Sequence, residues 1–108
     1  MADTLVVDIY QGTKRFPPAE RFALQSQLRR AAVSAVSNIV EGSARRTTRE
    51  YVNFLNIAAG SAFEARYLLS LSSRLGFVGA SEAEGLIERC TDLGRTLLAL
   101  IRSLEHEP

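Results

Sequence analysis

The sequence predicts an all-α protein that folds as an antiparallel, up-and-down four-helix bundle with a short first helix. In three long segments, 18–43, 48–75 and 81–104, apolar residues recur every three or four positions, as they do along one face of a helix. Only short breaks separate these segments, which favours antiparallel neighbours. No segment alternates as a strand does, and the length suits a single domain, residues 1–108.

The first helix is predicted over residues 3–12 from four apolar residues at helical spacing: Leu5, Val6, Ile9 and Tyr10. It ends near Gly12 and is too short to be stable alone. Phe16-Pro17-Pro18 is a clear break, and Pro18 suits the first turn of helix two, where its missing N–H is not needed. Helix two is therefore predicted from Pro18 to Ser43.

Helix two carries apolar residues on two faces. The first face consists of Leu24, Leu28, Ala32, Ala35 and Ile39, and the second of Val33, Val36 and Val40. A helix with two apolar faces is expected to be buried on two sides. We therefore expect one face to pack in the bundle and the other to contact a neighbouring subunit.

Local signals mark the ends of helices three and four. Thr47 with Glu50, and Ser81 with Glu84, have the spacing of capping boxes, and each box is expected to satisfy two backbone N–H groups. Gly76 suits the left-handed residue that ends a helix. Within helix three, the small residues 60–62 (Gly60, Ser61 and Ala62) predict the close approach of another helix. Helix four presents a leucine-rich bundle seam.

A polar stripe runs through the apolar surface of helices two and three. It comprises Gln27, Arg30, Ser34, Asn38, Glu41 and Arg45 on helix two, and Asn53, Asn56, Gly60 and Glu64 on helix three. Folding the helices about residue 45 predicts three sets of neighbours: Arg30 with Glu64, Ser34 with Asn56, and Glu41 with Arg45 or Arg49. We interpret Arg30, Ser34, Asn38, Glu41, Asn56 and Glu64 as a structural network. The alternative is a solvent channel or anion site lined by Arg30 and Asn38.

The sequence offers little catalytic chemistry. One histidine, His106, lies in the C-terminal tail, and the one cysteine, Cys90, falls on the apolar seam of helix four. We therefore expect no enzymatic activity, no catalytic residue, no metal site, no cofactor and no small-molecule substrate. No apolar run is long enough for a membrane span, the N-terminus lacks a secretion signal, and a single cysteine fits a reducing compartment. These features predict a cytoplasmic protein without membrane partners.

Positive charge is concentrated in one part of a nearly neutral chain. Residues 14–49 hold eight basic and two acidic residues, a net charge of +6, whereas the remainder holds five basic and ten acidic residues, a net charge of −5. Arginine outnumbers lysine twelve to one, and guanidinium groups bind phosphate and carboxylate well. Arg45, Arg46 and Arg49 surround the predicted turn between helices two and three, so they are the candidate nucleic-acid-binding residues.

Two segments, QLRRAAVSAVSNIVEGSARR and FLNIAAGSAFEA, resemble a family of small bacterial four-helix-bundle proteins. These are the intervening-sequence proteins, some of which are encoded within inserts in large-subunit ribosomal RNA genes. The resemblance covers residues 10–78; in helix four only the hydrophobic pattern matches. It implies a ring-shaped homopentamer, and related accessory proteins of diversity-generating retroelements work with a reverse transcriptase and RNA. Relative to that family the first helix is short, so we expect a truncated or misassigned N-terminus.

Two functions follow from these observations. The first is a non-catalytic, oligomeric nucleic-acid-binding or ribonucleoprotein scaffold, whose expected partners are its own copies, RNA or DNA, and a reverse transcriptase. The alternative is a protein-interaction adaptor whose basic turn docks an acidic protein. Few aromatic residues are available for stacking, so the sequence does not indicate base-specific recognition of single strands.

Overall fold

The computed structural model describes residues 2–106 and confirms the all-α fold. Four α-helices and one short 3₁₀ helix follow one another along the chain. They are α1 (Ala2–Gly12), the 3₁₀ helix (Pro18–Glu20), α2 (Leu24–Ser43), α3 (Thr48–Arg74) and α4 (Ala80–Glu105). No helix in this part of the chain combines the length and the apolarity that crossing a membrane requires.

Each helix packs against its neighbours in the order of the sequence. α2 contacts α3, α3 contacts α4, and α1 closes the bundle by packing between α2 and α4. Along α4, Asp8 pairs with Arg89 and Gly12 lies beside Glu82. Along α2, Thr13 meets Arg29 and Val7 lies beside Val33, so the short helix runs antiparallel to both. With 11 residues against the 20 to 27 of the others, α1 covers only part of an elongated bundle of 50 × 23 × 18 Å.

Both ends of α3 agree with their sequence signals. The Thr47 hydroxyl accepts a hydrogen bond from the Glu50 N–H at 3.1 Å and donates one to the Glu50 carboxylate at 3.0 Å. The carboxylate thus binds the hydroxyl and not the Thr47 N–H that the capping box predicts. At the other end, Gly76 has a φ of 80°, and the N–H of Phe77 reaches the Ser72 carbonyl at 2.9 Å. This is a complete Schellman motif.

The predicted starts of helices two and four are wrong. Pro18 begins only the 3₁₀ helix, and α2 starts at Leu24 after Ala23 leaves the helical region. Helix four starts at Ala80 with Gly79 as its N-cap, so Ser81 lies inside the first turn and makes no capping bond. Tertiary contacts set both boundaries: Phe16 packs on Phe77 with ring centroids 5.5 Å apart, and Val78 is buried just before α4.

Small residues let the helices approach closely, at Ser61 as the sequence predicts and at two glycines that it did not single out. A Cβ on Gly42 would lie 2.8 Å from the Cβ of Phe54, and one on Gly94 would lie 2.5 Å from the ring of Phe63. These two glycines therefore allow α2 and α4 to pack closely against α3. Gly60 is exposed, and a Cβ there would meet no atom within 4 Å, so the predicted close approach at Gly60 is wrong. Its neighbour Ser61 is buried because it faces α2.

A buried network ties the end of α1 to α2. The Thr13 hydroxyl, fully buried, donates to the Ile9 carbonyl at 2.8 Å and accepts from Arg29 Nε at 2.9 Å. Gln25, also buried, donates to the Thr13 carbonyl at 2.7 Å. The Ile9 and Thr13 carbonyls also accept backbone N–H groups, whereas the Tyr10 carbonyl accepts only from the Thr13 and Arg29 side chains, so these side chains complete the C-terminal cap of α1. They compensate for a helix too short to be stable alone.

Candidate functional site

The polar stripe is tied together mainly through serines. Ser34 and Ser61 bond through their hydroxyls at 2.8 Å, and the Asn38 amide donates to the Ser34 carbonyl at 2.8 Å and to its hydroxyl at 3.1 Å. Asn56 instead donates to the Val52 carbonyl of its own helix, and it forms no hydrogen bond with Ser34. Helical side chains lean toward the N-terminus, which brings Ser34 opposite a residue about one turn farther along α3.

The predicted ion pair between Arg30 and Glu64 does not form. Glu64 accepts a weak hydrogen bond from Gln27 at 3.4 Å, and both Arg30 and Glu64 are exposed. At 100° per residue, Arg30 lies about 60° around α2 from Gln27, on the side away from α3. Glu41 forms no salt bridge with Arg45 or Arg49, since the Asp8–Arg89 pair is the only one within residues 2–106.

The polar stripe does not enclose an anion site or a channel lined by Arg30 and Asn38. Arg30 is exposed, whereas the Asn38 amide is engaged by Ser34 on the α2–α3 side. Among the described residues, every buried side-chain nitrogen and oxygen has a hydrogen-bond partner. The bundle interior is therefore satisfied by its own groups, and candidate ligand sites lie on the surface.

The basic turn, which we define as Arg45, Arg46 and Arg49, lies at the end of the bundle where α2 meets α3. All three side chains are exposed. The Arg45 guanidinium lies 5.5 Å from the centre of the Phe54 ring, which holds it against α3 without neutralising it. Arg49 borders an open groove lined by Thr48, Arg49, Val52, Asn53, Asn56 and Glu105. This end thus offers three guanidinium groups and two amides, together with one carboxylate from α4.

Large apolar side chains remain uncovered in the single chain. The first apolar face of α2 packs in the core, with Leu28 and Ala35 almost completely buried. On the second face Val33 is 43% exposed and Val40 64% exposed, and Val7 of α1 beside them is 55% exposed. Val33, Val36 and Val7 border a common groove with Val6. This apolar surface is what a contact with another subunit would cover.

The one cysteine and the one histidine of the chain lie in different surroundings. Burial raises the pKa of the Cys90 thiol to about 11, against the lowering effect of nearby Arg89 and Arg66, so the thiol is protonated at neutral pH. His106 is exposed at the end of α4. Within residues 2–106, no group of His, Cys, Asp and Glu side chains could hold a metal ion.

The sequence did not single out a second basic surface, near the start of α2. Phe22 is 92% exposed, and it shares an open groove with Tyr10, Arg21, Arg29 and Arg30. An aromatic residue inside a predicted helix is expected to face the core, but the 3₁₀ break before Leu24 turns this one outward. The only signal in the sequence was the contribution of these residues to the charge excess: residues 14–30 hold four arginines and one lysine.

The model of the 23S rRNA-intervening sequence protein family matches residues 1–99, which include α1, α2, α3 and most of α4. The chain belongs to this family. The match extends well beyond residues 10–78, on which the resemblance was based. The intervening-sequence protein is also similar to a crystal structure, at 1.70 Å resolution, of a protein of unknown function from the S23 ribosomal protein family of Bacteroides thetaiotaomicron. The two are 25% identical, with a TM-score of 0.85 over 93% of this chain and 94% of the other. No curated protein matches this intervening-sequence protein.

Proposed function

We propose that this intervening-sequence protein is a non-catalytic, oligomeric scaffold that binds nucleic acid in the cytoplasm through its basic turn. The observation that carries the proposal is the exposure of Arg45, Arg46 and Arg49, three guanidinium groups outside any salt bridge among residues 2–106. Such groups contact phosphates without reading sequence. The family's description, which refers to 23S rRNA, agrees with a role beside RNA.

Assembly of several copies would strengthen this binding. The exposed valines of α1 and α2 supply an apolar surface for subunit contact, and the resemblance implies a homopentamer. A cyclic ring would repeat the basic turn in each copy and concentrate positive potential at one end. Native mass spectrometry at micromolar concentration tests the assembly. We expect an oligomer, and specifically the pentamer that the resemblance implies; a monomer would contradict the proposal.

A triple Arg45→Ala, Arg46→Ala and Arg49→Ala variant tests the nucleic-acid contact. Its unfolding transition should stay close to that of the wild type, because all three side chains are exposed. Retention of a duplex RNA should fall in the variant, and wild-type binding should weaken steeply as salt rises. Arg74→Ala and Arg95→Ala together are the control, since they remove exposed arginines away from the basic turn. Unchanged retention in the basic-turn variant would contradict the proposal.

A protein-interaction adaptor is the second candidate function, with an acidic protein docked on the basic turn. Val40 on α2 and Ile57 on α3 are 64% and 52% exposed, and a protein interface would combine such apolar side chains with charged ones. A reverse transcriptase is a partner compatible with either function. If wild type retains no RNA or DNA at low salt, yet Ile57→Asp abolishes capture of a protein partner, the adaptor is favoured.

A further inference from the structure

The Phe22 groove, which we define as the surface lined by Tyr10, Arg21, Phe22, Gln25, Ser26, Arg29 and Arg30, combines positive charge with exposed aromatic rings. It joins three guanidinium groups to two aromatic rings and is bordered by no carboxylate. The groove beside the basic turn, in contrast, has Glu105 in its lining and no aromatic ring.

The Phe22 side chain is almost completely exposed to solvent. It is 92% exposed, far above the next most exposed large apolar side chain, Val40 at 64%. The ring lies in the short connection between the 3₁₀ helix and α2, and it has no role in the core. A flat apolar surface of this kind accepts a second flat group by stacking.

Arg29 is held in place by the protein before any ligand arrives. Its guanidinium donates to the Thr13 hydroxyl at 2.9 Å and to the Tyr10 carbonyl at 3.0 Å, and it lies 4.5 Å from the centre of the Tyr10 ring. Arg21 and Arg30 at the same groove are exposed and form no salt bridge within the described part. One fixed and two free cations leave the groove with uncompensated positive charge.

We propose that the Phe22 groove binds a single-stranded nucleic acid, with a base stacked on Phe22 and phosphates beside Arg21 and Arg30. Charge complementarity selects a polyanion, and the exposed ring selects one whose bases are free to stack. A duplex offers the same phosphates, but its bases are stacked and paired inside. This proposal rests on the proposed function, because both require that the protein binds nucleic acid. The Phe22 groove is nevertheless a separate site, about 30 Å from the basic turn along α2.

A tryptophan at position 22 tests the proposal directly, because the chain contains no tryptophan. In Phe22→Trp, titration with oligouridylate should quench the indole fluorescence, and the half-saturation point should rise with salt. Tyr67→Trp is the matched control, since Tyr67 is 57% exposed on α3 outside the groove, and its emission should not change. A duplex RNA of equal length should quench neither.

Binding measurements separate this site from the basic turn. Phe22→Leu keeps an apolar side chain but removes the ring, and it should weaken oligouridylate binding about 5- to 150-fold, the range that loss of one stacked base implies. Arg30→Ala should weaken binding and lower the salt dependence by about one charge. In Phe22→Trp, adding the triple basic-turn substitution should leave the quenching in place even if retention of duplex RNA is lost.

Two outcomes would overturn the proposal. The first is an unquenched tryptophan at position 22 while the oligonucleotide binds, which would place the strand elsewhere. The second is an indole emission already shifted to the blue in free protein, combined with a lower assembly mass in Phe22→Asp. That result would assign the ring to a contact between copies of the chain. Circular dichroism of each variant checks that the fold is intact.

Discussion

Gly94→Ala should destabilise the bundle although alanine is the better helix former. The new Cβ would lie 2.5 Å from Cζ and 2.8 Å from Cε1 of the Phe63 ring, closer than atoms can approach. The ring must therefore turn or α4 must move away from α3. Overpacking of this kind costs about 1–3 kcal/mol, and the gain in helix propensity over glycine offsets about 1 kcal/mol. We expect a net loss of about 1 kcal/mol in the free energy of unfolding.

Gly60→Ala is the matched control. Gly60 also lies within a long helix, but a Cβ there would meet no atom within 4 Å. Only the propensity difference remains, so this variant should be stabilised by about 1 kcal/mol. Urea unfolding followed by circular dichroism measures both values. If Gly94→Ala is as stable as Gly60→Ala, Phe63 yields without strain and the reasoning is refuted. A Gly94→Ala, Phe63→Leu double variant should show strong coupling, because the clash is removed.

Three further variants test other contacts. Thr13→Val should lower the free energy of unfolding by about 1–2 kcal/mol, because the Ile9 carbonyl and Arg29 lose the buried hydroxyl as their partner. Thr96→Val, at an exposed site, should change the free energy of unfolding little. Asp8→Asn should cost under about 1 kcal/mol, since Asp8 and Arg89 pair at 2.7 Å with about 40% of each side chain exposed. The Cys90 thiol ionises near pH 9 when unfolded and near pH 11 when folded, so the unfolded state loses its proton first. Wild-type stability should therefore fall between pH 9 and 11, by at most about 1.4 kcal/mol per pH unit, and Cys90→Ala should lack this component; equal pH slopes in the two proteins would contradict it.

Helix boundaries could be predicted where the deciding atoms are close in sequence. Thr47 accepts a hydrogen bond from the N–H of the residue three positions later, and Gly76 adopts the left-handed conformation that ends the helix. Both ends of α3 can therefore be predicted from a few neighbouring residues. The starts of α2 and α4 depend on Phe16 packing against Phe77 and on the burial of Val78. Those contacts join distant segments, and no local pattern in the sequence contains them.

The contacts between α2 and α3 show that a correctly predicted topology does not determine which side chains pair. Antiparallel packing about the turn was predicted, yet Ser34 meets Ser61 and not Asn56. Side chains lean along the helix and rotate by 100° per residue, so a fold line drawn through residue 45 misplaces partners by about one turn. Arg30 consequently leaves the polar stripe and joins the Phe22 groove. Predicted ion pairs are sensitive to such shifts because both charged ends must meet within a few ångströms.

The charge excess of residues 14–49 is divided by the fold into separate surfaces. The basic turn and the Phe22 groove lie at opposite ends of α2, about 30 Å apart, whereas electrostatic screening acts over about 8 Å at physiological salt. The electrostatic fields of the two clusters therefore act separately within one chain. Glu41 and Glu50 flank the basic turn and Glu105 lines its groove, which reduces the local excess there. Glu20 precedes Arg21 in the same way, but no acidic residue lines the Phe22 groove, so single-strand binding should survive at salt concentrations that abolish contacts at the basic turn.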